Sequence, residues 1–420
     1  MSDSKVTKVT RQSYGSRIMQ SIRGVLFGVV LVVIAFPLLF WNEGRAVQTA
    51  KSLAEGSAAV RSVPAESIDA ANEDALVHLT GMATTEDVLN DSTFGITEPN
   101  AIRLQRSVEM YQWRETSKTE TKREVGGSEE RITTYDYSKT WSESLIDSTP
   151  FQSPEQHANP SSMPFSGHEE QASRVTVGAF VLSDGLIGRI RQAENRPFTD
   201  EDIEALPESV QERVGTRELS IRDGALYATQ EPATDTIGDV RVRFEVVRPQ
   251  TVSVISAQIG GNLVPYQTSA GDTLVFLQSG MHSAEAMFAA AVSANVRMTW
   301  ILRFVGFFLM FVGFGMVFKP LAVLADVLPF LGDIMRMGTG LVAGVLAFSL
   351  SLTTIAIGWI FYRPVLGVLL LAVAIGALIA VKRLATNSRS ATPDAPAMPE
   401  TEAVAPEATE PPAGMMPPSA

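Results

Sequence analysis

Catalysis needs groups that converge, and the chain offers few at diagnostic spacing. Its four histidines, His78, His157, His168 and His282, contain no pair at i, i+3 or i+4, so no helix face carries two imidazoles for a metal. His168, Glu169 and Glu170 are adjacent, but in a loop rich in Pro and Ser they read as solvated polar residues rather than ligands. Asp200-Glu201-Asp202 follows Thr199, and carboxylates in a first helical turn complement the positive end of the helix dipole. Trp113, Tyr135, Tyr137 and Trp141 could stack a sugar or peptide, yet aromatics across a strand pair serve packing more often. Asn90-Asp91-Ser92 fits a glycosylation acceptor, relevant only in a eukaryotic host. Cysteine is absent, which removes thiolate nucleophiles, disulfides and thiolate metal sites together. No nucleophile elbow, phosphate-binding loop, dinucleotide fingerprint, zincin or EF-hand pattern occurs. The reading is a non-enzyme with no catalytic residue, cofactor site or metal site.

What the sequence does specify is membrane architecture. Residues 24–41 (GVLFGVVLVVIAFPLLFW) are 18 uncharged residues, about 27 Å of helix and close to a hydrocarbon core. Arg17 and Arg23 precede this run as in a signal peptide, but no small-residue cleavage pattern follows closely, so it reads as an uncleaved anchor. Residues 299–318, 338–361 and 364–381 supply three further spans. The expected fold is four α-helical transmembrane spans, one N-terminal and three C-terminal, with a large β-rich α+β extramembrane domain over 42–297.

Charge and aromatic placement orient it. Residues 1–23 are a basic N-terminus, Lys319 and Arg336 lie between the second and third spans, and Lys382, Arg383 and Arg389 follow the fourth. Positive-inside counting makes these segments cytoplasmic. Trp41, Trp300, Trp359 and Tyr362 then fall at the outer interface, with Arg303 snorkelling outward as a fellow anchor. Residues 319–337 carry Leu321, Leu324, Leu328 and Leu331 at helical spacing, which suits either an amphipathic interfacial helix or one packed under the bundle. Gly24-x-x-x-Gly28 and Gly340-x-x-x-Gly344 match small-residue helix packing, with Gly306, Gly313 and Gly315 in the second span. Residues 382–420 read as a disordered tail, since 391–420 hold 8 Pro and 5 acids and almost no large apolar side chain.

Residues 42–297 hold 22 Lys+Arg against 38 Asp+Glu, an acidic balance that argues against nucleic acid as a partner. Strands are expected from residue 102 onward around Gly126-Gly127, with helices over 199–214 and 283–296. At the membrane exit, next to Asn42, Trp41 sits at headgroup depth, Gly44 permits a bend, and Glu43 and Arg45 enter water. The good helix formers of residues 43–59 let the helix either continue into the domain or resume after Gly44.

That motif, within Leu39-Phe40-Trp41-Asn42-Glu43-Gly44-Arg45-Ala46, resembles the transmembrane protein 43 family, also called LUMA. Residues 260–280 (GGNLVPYQTSAGDTLVFLQSG), 318–334 (FKPLAVLADVLPFLGDI) and 358–367 (GWIFYRPVLG) resemble the family's C-terminal half. The resemblance implies a multi-pass protein whose domain is lumenal or periplasmic. It further implies residence in the endoplasmic reticulum and inner nuclear membrane for a eukaryotic member, and the inner membrane for a bacterial one, which the composition favours. Expected partners are the lipid bilayer, further copies of the chain and other membrane proteins. A membrane scaffold is the first functional reading; a transporter or channel component, or an envelope ligand-binding or enzymatic domain, is the alternative.

Overall fold

The computed structural model describes residues 5–231, 234–326 and 329–365. Six helices are described: α1 (Tyr14–Ala59), α2 (Asp184–Ile187), α3 (Asp200–Glu204), α4 (Glu208–Val214), α5 (Ala284–Ala325) and α6 (Pro329–Tyr362). Three, α1, α5 and α6, contain stretches long and apolar enough to cross a membrane. Residues 366–381, the body of the expected fourth span, and the tail 382–420 lie outside the described residues.

The helices outrun the spans expected of them. Ser13 caps α1 by accepting from the Ser16 amide, and the helix runs 46 residues without a break. Beyond the apolar run, good helix formers continue into a face that buries Leu53 against the domain. Of the two courses open at Gly44, continuation into the domain or resumption after a bend, the chain takes the first. Similarly, residues 319–325 are the last turns of α5 rather than the start of a separate interfacial helix. α6 begins at Pro329, where the missing N–H of proline costs nothing because a first helical turn has no partner for it. Residues 319–325 thus belong to α5 and 329–337 to α6.

The domain is β-rich, as expected, and built on two main sheets. One runs Val6–Gln12, Glu129–Ser142, Arg103–Arg123, Val240–Val247, Ala225–Thr229, Glu218–Arg222; the other is centred on Leu76–Thr84 beside Gln250–Ile259. Alternation along Val240–Val247 turns Val242, Phe244 and Val246 inward to meet Val77, Leu79, Val252 and Val254 in one core. Thr199 caps α3 with a reciprocal capping box to Asp202, confirming a structural use of that acid. Burial alone would raise the Asp202 pKa; the Arg196 guanidinium and the Thr199 amide and hydroxyl hold it below its ordinary value. Pro207 separates α3 from α4, splitting the single helix expected over 199–214.

Tyr137, expected in cross-strand packing, is fully buried, stacked on His157 at 3.7 Å between ring centroids. Its hydroxyl donates to Glu115 Oε2 at 2.6 Å, and burial together with that carboxylate pushes its pKa up to about 12.

Glycine turns at Gly126 and Gly127 join strands Arg103–Arg123 and Glu129–Ser142 into a hairpin, as the sequence predicts. Pairing with Val240–Val247 ends at Met110, so the last 13 or so residues of the first strand project as an arm of roughly 40 Å. The N-terminal segment Val6–Gln12 adds to this arm as an antiparallel third strand, Val6 opposite Tyr135 and Gln12 opposite Glu129. At its tip Gly127 packs against Tyr14, and Arg17 donates to the Gly127 carbonyl. Arg17 also pairs with Glu129 at 2.9 Å and with Asp326, which accepts from Arg336 as well. Segments that charge counting assigns to opposite faces of a bilayer are thus hydrogen-bonded to one another.

Candidate functional site: a polar cluster where three helices meet

Arg17 and Glu43 mark two levels on α1 about 26 residues, or roughly 39 Å, apart. Between them α1 carries the uncharged run 24–41. Gly28 and Gly313 set the approach of α1 to α5: a Cβ at Gly28 would lie 2.6 Å from the Gly313 carbonyl oxygen, and one at Gly313 would lie 2.7 Å from that of Gly28. Of the four glycines in the two i, i+4 patterns only Gly28 makes such a contact, and its partner Gly313 is one of the glycines expected in the second span. Gly24 meets the tip of Met316 at 3.8 Å, Gly344 meets Phe311 at 3.7 Å, and a Cβ at Gly340 has open space.

At the upper level the three helices contribute one residue set. Arg303 of α5 grips Glu43 with both carboxylate oxygens engaged, Nε to Oε1 at 2.7 Å and Nη2 to Oε2 at 2.8 Å. Trp359 of α6 donates its indole N–H to Glu43 Oε2 at 2.8 Å. The Arg303 guanidinium lies 4.9 Å from the ring centroid of Trp300 and 5.6 Å from that of Trp359. Glu43 is therefore a fully coordinated carboxylate between two other helices, although the sequence reading put it in water. Arg303 turns inward to it rather than snorkelling to a headgroup, because a buried carboxylate offers a stronger, planar partner.

One turn above, Asn42 donates to the Thr299 carbonyl at 3.1 Å, while Arg45 donates to Asn295 Oδ1 at 3.0 Å, Thr299 Oγ1 at 3.1 Å and Asn42 Oδ1 at 3.3 Å. Asn295 donates in turn to the Ala46 carbonyl at 3.0 Å. Gly44 sits where a Cβ would be 2.6 Å from the Tyr362 ring, and Gly358 where a Cβ would be 3.0 Å from Glu43. Gly44 thus admits an aromatic ring from α6. Trp41 remains largely exposed, consistent with an interfacial ring.

All of the membrane-exit motif and the proposed anchors Trp300, Arg303, Trp359 and Tyr362 consequently fall in one region. Asn295 and Thr299 were not anticipated. Their signal was legible: with Arg303 they recur every four residues, a polar stripe on one face of an apolar helix. With three donors on its two carboxylate oxygens, Glu43 ties α1 to α5 and α6. Among the described residues no group of three or more His, Asp or Glu is arranged to hold a metal.

Comparison with known proteins places this arrangement among relatives. The family model Transmembrane protein 43 matches residues 110–364. Transmembrane protein 43 of Mus musculus is 34% identical over 389 residues, covering 90% of this chain and 94% of that protein. The Homo sapiens protein of that name is 33% identical over 383 residues, covering 88% and 92%, and a Drosophila melanogaster homolog is 31% identical over 353 residues, covering 82% and 90%. No solved structure matches the chain.

Proposed function

The chain belongs to the transmembrane protein 43 family, and from that premise we propose that it is a non-enzymatic membrane scaffold that self-associates and holds other membrane proteins around a rigidly mounted domain. The observation carrying this reading is continuity. α1 and α5 pass unbroken from the apolar bundle into the domain, where Leu53 on one and Met287 and Phe288 on the other pack with Leu76, Ile255 and Leu274. With the Glu43 cluster locking the same helices below, the domain cannot swivel on its anchor. Such a mount suits a protein that sets the position of others.

Self-association is assigned to α6, where a Cβ at Gly340 would meet open space in a groove shared with Gly315 of α5. In nanodiscs of native lipid, mass photometry is expected to find an oligomer that Gly340→Leu shifts toward monomer. A strictly monomeric chain at all concentrations overturns the scaffold reading.

The domain lies on the membrane face opposite the N-terminus, in the periplasm or its lumenal equivalent, because the cations flanking the spans hold the other ends inside. This placement has a consequence for the arm. Thr116 to Gly126 are exposed and include Lys118, Glu120, Lys122, Arg123 and Glu124, and such a strand edge is not tolerated in hydrocarbon. A bundle seated in a bilayer between the Arg17 and Glu43 levels therefore requires the arm to part from Tyr14. Since the chain has no cysteine, the pair Tyr14→Cys and Gly127→Cys reports this directly. Oxidation is expected to join them in detergent and to leave them unjoined in sealed vesicles. Full cross-linking in vesicles sinks the outward placement of the domain.

A further inference from the structure

A pocket of about 620 Å³ opens beside the membrane exit, lined by Trp41, Gly44, Arg45, Gln48 and Lys51 of α1, by Phe361 and Tyr362 of α6, and by Ala270 and Asp272 of the domain. We propose that it binds the phosphate of an anionic phospholipid, with Arg45 and Lys51 as its cations.

Arg45 differs from three other arginines of the bundle. Arg17, Arg303 and Arg336 in the same bundle each face a carboxylate within 4 Å. Arg45 has none among the described residues. Its Nη atoms are spent on the neutral oxygens of Asn42, Asn295 and Thr299, and its Nε is buried without a hydrogen-bond partner. Arg45 is half-buried, and a guanidinium with only dipoles as partners retains an uncompensated charge, a condition that an anion in the pocket relieves.

The other lining groups are of the matching kind. Lys51 is exposed and has no ion-pair partner among the described residues. The Trp41 indole N–H and the Tyr362 hydroxyl likewise meet no acceptor among the described side chains, so the pocket presents donors in excess of acceptors. One carboxylate, Asp272, stands at the rim and accepts from Gln48 Nε2 at 2.8 Å. Two cations against one acid leave the pocket net positive. A phosphodiester is the anion that fits, being acceptor-only and able to receive from Arg, Lys, an indole and a phenol together.

The source is the bilayer rather than free phosphate. Trp41 and Phe361 are 56% and 69% exposed and continue the apolar, lipid-facing surface of α1 and α6 into the pocket's wall. A bound headgroup there keeps its acyl chains on that surface, where aromatic side chains mark the interface.

The test is native mass spectrometry of the full chain released from nanodiscs holding equal amounts of phosphatidylglycerol and phosphatidylcholine. Retention of phosphatidylglycerol over phosphatidylcholine by roughly tenfold is expected, on the order of one to two interfacial cations' attraction. Lys51→Gln should lower that ratio several-fold, Asp272→Asn should raise it, and Arg45→Gln should bring it near unity. Because Arg45 also joins α1 to α5, the exposed Lys51 and the half-buried Asp272, neither of which bridges those two helices, keep the outcome independent of folding. Equal retention of the two lipids, or a ratio that neither Lys51→Gln nor Asp272→Asn moves, overturns the proposal. Displacement of the retained lipid by inorganic phosphate at comparable concentration overturns the lipid source.

Discussion

Replacing Glu43 with alanine is expected to destabilise the folded chain by about 3–5 kcal/mol, the cost of leaving a buried charge without its partner. The Glu43 side chain is 3% exposed and that of Arg303 15%, so solvent cannot take over the lost contact. The substitution removes two charge-assisted hydrogen bonds from Arg303 and one from the Trp359 indole, leaving the guanidinium with aromatic faces alone. Those faces are worth about 1–2 kcal/mol, too little to hold a cation at that depth. Thermal unfolding in detergent should show the loss as a lowered midpoint. The diagnostic variant is the double replacement Glu43→Met with Arg303→Met, expected to recover most of the stability because an apolar pair of similar volume carries no desolvation penalty. If Glu43→Ala alone costs less than about 1 kcal/mol, the pair is solvated as surface ion pairs are, and the rigid mount loses its lower lock.

The same pair shows what a sequence can disclose. Glu43 stood out because it follows Trp41 at the end of an apolar run, and Arg303 because it interrupts another; that each answers the other across 260 residues is information held only by the packing of α1 against α5. Gly44 illustrates a different limit. A glycine before good helix formers signals either a bend or a close approach, and the deciding atoms belong to Tyr362 on a third helix. The arm's third strand was legible in part, since Val6-Thr7-Lys8-Val9-Thr10 is rich in β-branched residues, the composition of strands. Counting its lysines for topology obscured that pattern. The hairpin around Gly126-Gly127, the N-cap at Thr199 and the long apolar helices rest on local signals and were readable; helix ends and inter-helix contacts rest on tertiary burial and were not.

Asp91 was read only as the middle of a glycosylation sequence, and it is the site of the second large effect. Asp91→Ala is expected to cost about 3–5 kcal/mol, this time inside the β-rich domain. Both carboxylate oxygens lie 2.5 Å from Arg106 Nη1, and the two side chains are 2% and 5% exposed. Oδ1 also accepts from the amides of Thr93, at 3.1 Å, and Phe94, at 2.9 Å, fixing the turn that carries Phe94 into the core. Phe94 packs with the rings of Phe165, Phe198 and Phe244, and the Arg106 guanidinium stands 5.2 Å from its centroid. Alanine at 91 therefore strands a buried cation and releases the turn that seats this aromatic group, whereas Asp91→Asn keeps an acceptor for the turn and should lose less. Urea unfolding of the full chain in detergent, followed by hydrogen exchange over Arg103–Met110, separates the two effects: Asp91→Ala should lower protection across the strand, and Asp91→Asn should lower stability while leaving protection near Phe94 largely intact. Asp87→Ala serves as the exposed control, since its carboxylate caps Ser173 from the surface and should cost about 1 kcal/mol or less. Equal effects at 87 and 91 would mean that Arg106 reaches water without Asp91, and that the core around Phe94 is assembled by apolar packing alone.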